Sequence, residues 1–140
     1  MSQQNVEAVR SFYASGPSNV LQAEPEVNQA FGDFLDEDFE IRLTATWPEG
    51  EQAFRGRDGF ARFFAMLRES FDEWCIEPVR FLDAGDRVVV FVHMRARGVE
   101  SGAEVEFDRS QVWTFCDRRA VSMRVYIDHA EALHAVGLQE

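Results

Sequence analysis

Three groups of residues have the types and spacing that chemistry needs. The first is a single acid. Asp128 stands in the segment VYIDHAEAL, residues 125–133, where apolar–polar alternation gives way to a short helical pattern. A carboxylate at the end of a strand can move a proton as a general acid or base. The residues from Asp128 to Glu131 also spell a capping box, in which the Asp accepts a helix N–H and the Glu reaches back. Such a cap is worth about 1 kcal/mol and needs no chemistry to explain it. The two roles are compatible, because a strand end at the mouth of a pocket can also cap a helix.

The second group lies on one strand face. Val105, Phe107, Arg109, Gln111, Trp113 and Phe115 recur at a period of two, so they point the same way. Their register with Val92 and Met94 turns this set inward. The wall so made is mostly apolar and carries two polar groups, Arg109 and Gln111. Buried groups of this kind must find partners, which an internal network or a bound ligand can supply. The third group is His93, Arg95 and Arg97, facing Glu104, Glu106 and Asp108 across a hairpin. Opposite charges at that spacing make a solvated ladder, a simpler reading than a catalytic Arg.

Tyr13, Trp47 and Tyr126 complete the pocket candidates. Each has an apolar body and a polar tip, and each can also be simple packing. Trp47 precedes Pro48 in a loop placed to close a pocket mouth. His129 and His134 read as surface, and Cys75 as packing. His93, His129 and His134 lack metal-ligand spacing, so no metal is expected.

The elements that must hold these groups follow from periodicity. Val6, Val9 and Tyr13 mark a first helix, and Val27, Ala30, Phe31, Phe34 and Leu35 a second. A strand starts at Phe39. WPEGEQAFRG reads as a loop. Asp58 opens a third helix with the stripe Phe60, Phe63, Phe64, Leu67 and Phe71. Strands are expected over residues 74–82, 87–97, 105–115 and 120–127, with an edge or bulge at Pro78. A short helix over 129–136 closes the chain. The expected fold is α+β: a cone-shaped barrel made of a curved, mainly antiparallel sheet, packed with three helices from the N-terminal half and a short C-terminal helix.

Composition narrows the function. The chain has 140 residues, 13 of them Phe, which is ample bulk for a core and a cavity wall. A net charge of −11, with Arg as the only cationic side chain besides His, disfavours nucleic acid and anionic membrane surfaces as partners. The N-terminal residues have no signal-peptide pattern, and no apolar run approaches membrane-spanning length. The expectation is a soluble, cytoplasmic, single domain over 1–140. Apolar residues on both faces of the last strands, such as Val112 beside Trp113, point to a covered outer sheet face and a homodimer.

The order and spacing of several phrases resemble the SnoaL-like family of the nuclear transport factor 2-like superfamily. These are VEAVRSFYA, LDEDFEI, FRGRDGFARFF, DAGDRVVV, SGAEVEF, VWTF and YIDHAEALHAVGL. The family includes polyketide cyclases, ketosteroid isomerases and limonene epoxide hydrolases. The resemblance implies a ligand cavity and cofactor-free acid/base chemistry. Asp128 matches the acid/base Asp of the cyclases and the last Asp of the epoxide hydrolases. The isomerase base falls at Leu43, and its oxyanion-hole acid and Tyr at Gln111 and Tyr13. The epoxide hydrolase Arg-x-Asp is missing from FVHMRARG. Steroid isomerisation and epoxide hydrolysis are therefore disfavoured. The expectation is a small, largely apolar organic ligand, cyclised or isomerised by Asp128 and held by Tyr13, Trp47, Arg109, Gln111, Trp113, Phe115 and Tyr126. The alternative is a binding or dimerisation module without catalysis.

Overall fold

The computed structural model describes residues 2–16, 19–43 and 52–138. Trp47 lies outside the described residues. Helix α1 (Ser2–Ser15) buries Val6 and Val9, and Tyr13, two turns after Val6, is half-buried on the same side. A 3₁₀ turn (Val20–Gln22) follows, pinned by Asn19, whose side-chain oxygen accepts from the N–H groups of Leu21 and Trp74.

Helix α2 (Glu24–Ala30) has Pro25 in its first turn, where the missing N–H would have had no helical partner. It is shorter than its sequence pattern. Gly32, at φ 94°, takes the left-handed conformation that stops a helix. Strand β1 (Leu35–Leu43) then begins four residues before the expected Phe39. Phe31 and Leu35 keep a helical spacing and are both buried, but one is buried in the turn and the other in the strand.

Strand β2 (Gln52–Arg55) pairs antiparallel with β1, where the sequence reads as loop. Among its described side chains Phe54 is the buried one, too little alternation to show as a pattern. Helix α3 (Gly56–Ser70) buries Phe60, Phe64 and Leu67; Phe63 is half-buried, and Phe71 belongs to the next strand. Gly59 lets α3 lie against β2, since a Cβ there would stand 2.6 Å from the Phe54 carbonyl carbon.

Strands β3 (Phe71–Ala84), β4 (Arg87–Gly98), β5 (Glu104–Cys116) and β6 (Arg119–Tyr126) form the expected antiparallel meander. The sheet order is β2-β1-β6-β5-β4-β3, and β1 runs parallel to β6. The sheet is thus mixed and open, not a closed barrel. Pro78 sits at a register slip on β3, an edge strand. Helix α4 (His129–Ala135) lies on the outer face, where Ala132 and Leu133 pack with Val89, Phe91 and Val112. The exposed-looking Val112 that suggests a partner copy is covered by the chain's own helix. Among the described residues, no helix is long and apolar enough to cross a membrane.

The charge ladder has the register its sequence implies: Arg97 faces Glu104, Arg95 faces Glu106 and His93 faces Asp108. The side chains pair differently. Arg97 turns to Asp72 (2.8 Å) and Glu73 (3.1 Å) on β3, and Arg95 turns to Glu73 (3.5 Å). His93 is held between Asp108 (2.9 Å) and Glu106 (2.7 Å). Hydrogen bonds that the imidazole donates to these carboxylates, Asp108 first, hold it above its ordinary pKa. A raised histidine stabilises the fold fully below its unfolded value of about 6.5 and ceases to do so as pH rises through the folded value. Thermal stability is therefore expected to fall as pH is raised above about 6.5. His93→Gln should flatten that part of the profile. An unchanged profile in the variant would refute the assignment.

Candidate functional site

Between the helices and the inner face of the sheet lies a cavity of about 830 Å³. That is within the range ligand sites occupy. Strand alternation explains its walls. From β1 come Phe39, Ile41 and Leu43, from β6 Met123 and Val125, and from β5 Phe107, Arg109, Gln111 and Trp113; α3 adds Phe60, Phe63 and Phe64. Leu43 is buried here, so an alkyl group occupies the place where the isomerase resemblance would need a carboxylate.

Gln111 is the most confined polar group of this wall, only 3% exposed. Its Oε1 is buried and has no hydrogen-bond partner among the described residues. Val90 and Val125 flank it on the neighbouring strands and offer nothing polar from their side chains. A buried acceptor left unmade is costly, and a donor brought by a ligand would relieve it. Tyr13 also lines the cavity. Its hydroxyl accepts from Trp113 Nε1 at 3.4 Å, which leaves its own proton free to donate. Burial pushes the phenol well above its ordinary pKa, so it stays protonated across the physiological range. Trp113 is buried and meets Tyr13 edge to face at 6.1 Å. Phe115, expected inward, is buried against Phe34 rather than on the cavity wall.

Arg109 stands beside Gln111 on the wall, half-buried, with its guanidinium 4.6 Å over the Phe107 ring. The carboxylates bordering the cavity, Glu77 and Glu106, are exposed, and Glu106 is held by His93. Among the described residues no cluster of His, Cys, Asp or Glu could hold a metal ion.

Tyr126 and Asp128 are not on this wall. Met123 and Val125 face inward, so alternation turns Tyr126 outward, where it packs with the outer cluster beneath α4. Asp128 is exposed at the N-cap of α4, and its Oδ1 accepts from the Glu131 N–H at 2.7 Å. The structure thus groups Tyr13, Arg109, Gln111 and Trp113 and sets Tyr126 and Asp128 apart. His129 is not a surface residue as its sequence position suggests. It is half-buried, stacks on Phe91 at 3.8 Å and hydrogen-bonds the Oγ of Ser110, itself fully buried. Nothing in the sequence near Ser110 signals that contact, because its partner is 19 residues away across a bend. It pins α4 to the sheet.

Helices folded over one face of an open mixed sheet, with an apolar cavity between the two layers, define a protein of the nuclear transport factor 2-like class. Within it, residues 26–123 match the model of the SnoaL-like domain, and the chain belongs to that family. Three solved structures illustrate the likeness. A nuclear transport factor 2-like protein of unknown function from Burkholderia pseudomallei is 24% identical, with TM-score 0.70, covering 95% of this chain and 97% of its own. A nuclear transport factor 2-like protein from Burkholderia xenovorans is 25% identical, with TM-score 0.69 and 97% of both chains covered. A protein from a Jannaschia species, assigned by likeness as a SnoaL-like polyketide cyclase, is 20% identical, with TM-score 0.70, covering 99% of this chain and 95% of its own. No curated protein matches the sequence.

Proposed function

We propose that this chain binds a small, largely apolar organic molecule in the cavity. Apolar walls hold its body, and the Tyr13 hydroxyl and Gln111 amide hold a polar group at its buried end. The observation that carries this reading is Gln111 Oε1, a buried acceptor without a partner on the wall of a cavity of about 830 Å³. The family resemblance supports a ligand-binding or cyclase- or isomerase-type role. Binding is the better-supported half. A proton-abstracting carboxylate would have to face the ligand, and Asp128 is exposed and capped outside the wall. Tyr13 can polarise a carbonyl oxygen in the cavity by donating to it, which needs no cofactor.

Calorimetric titration with 2-naphthol, a neutral fused aromatic alcohol, tests the reading. Saturable one-to-one binding is expected. Val125→Phe places a ring in the cavity and should weaken it roughly tenfold or more, about 1.4 kcal/mol. Binding unaltered by Val125→Phe would place the ligand elsewhere and overturn the assignment. A second test concerns chemistry. With Leu43 in place of a base, no conversion of a β,γ-unsaturated to an α,β-unsaturated ketosteroid is expected. Turnover above the uncatalysed rate would show that another group removes the proton.

A further inference from the structure

Arg109 brings a positive charge to a mostly apolar wall, beside the buried Gln111, while His93, Arg95, Glu77 and Glu106 border the same cavity. Its position on β5 between Phe107 and Gln111 turns it toward the cavity, and its guanidinium lies over the Phe107 ring. One of its five donors is used, by Nη1 on the backbone oxygen of Asp108 at 2.8 Å. A partly buried cation ordinarily has an anion beside it. The nearest acids in sequence do not serve. Asp108 alternates to the opposite face of β5, Glu106 borders the cavity, and both carboxylates are held by His93. Among the described residues Arg109 forms no ion pair. Burial accordingly draws its pKa below the ordinary guanidinium value, with the Asp108 charge opposing only in part.

Two residues further along the same face is the unpartnered Gln111 Oε1. A step of two along a strand separates their backbones by about 7 Å. One ligand can therefore satisfy both groups, provided it offers an oxyanion at one end and a hydrogen-bond donor at the other. We propose that the natural ligand is a largely apolar organic anion, whose ionised oxygen pairs with the Arg109 guanidinium and whose hydroxyl or N–H donates to Gln111 Oε1. The planar guanidinium suits this role because it grips an oxyanion through two parallel donors. The inference rests on the cavity reading and adds the charge of what enters. The acidic exterior sharpens it: at a net charge of −11, non-specific attraction cannot explain a preference for anions.

The test compares two probes of one shape, 6-hydroxy-2-naphthoate and its neutral methyl ester, by calorimetry at pH 7. The carboxylate should bind about tenfold more tightly than the ester. Arg109→Gln should collapse that ratio to about unity, with its unfolding curve showing that the variant is folded. If wild type binds both probes equally, or if the preference survives in Arg109→Gln, the anion assignment is overturned while the cavity reading stands. If wild type binds neither at millimolar concentration, the cavity reading falls and this inference falls with it.

Discussion

Gln111→Leu is expected to make the unliganded protein more stable, by about 1–3 kcal/mol. Most substitutions at a position this buried destabilise. Here the sign reverses for a stated reason. Gln111 is 3% exposed, and its Oε1 finds no partner among the described residues. Leu has a similar volume and matches Val90 and Val125 on the adjoining strands. The exchange removes a desolvated acceptor without opening a hole. The same exchange should weaken binding of a hydroxylated ligand, because the polar contact at the buried end is lost. Stability is thus set against function at one side chain, as binding sites often require. Thermal unfolding of both proteins, followed by calorimetry with 2-naphthol, measures both halves. A less stable Leu variant would mean that a water already satisfies Oε1, and the argument for a ligand donor would lose its basis.

The inward place of Gln111 is legible in the sequence, and the reason is geometric. The β4–β5 pairing runs without a register slip from Val105 to Trp113, so one register choice against β4 fixes every side chain's face. The ladder from Arg97 to His93 follows from the same register. What each ladder side chain touches did not follow, because Arg95 and Arg97 reach across to β3, and no local pattern ranks Glu73 against Glu106. The end of α2 was hidden differently. Phe31 and Leu35 are spaced as one helix face, and only the left-handed Gly32 between them breaks it. Strand β2 is too short to carry a period, and Phe54 is buried in it.

Asp128 shows how a local motif can be legible while its direction is not. The capping role follows from the sequence alone, and its bond to the Glu131 N–H is formed at 2.7 Å. Which way the carboxylate points depends on the bend over Ile127 and Asp128, where strand alternation ends and face can no longer be counted. Asp128→Asn should keep most of the stability, because Asn caps a helix nearly as well as Asp. Asp128→Ala should cost about 0.5–2 kcal/mol, as the first turn of α4 loses its acceptor. Neither substitution should alter affinity for methyl 6-hydroxy-2-naphthoate, since α4 sits on the outer face, pinned by His129 to Ser110. Unfolding curves and titrations of the two variants give four numbers against wild type. Weaker binding in Asp128→Asn, with stability intact, would show the carboxylate reaching the ligand and would revive its role in proton transfer. Stability unchanged in Asp128→Ala would show that the 2.7 Å bond contributes nothing, and that α4 is held by Leu133 and His129 instead.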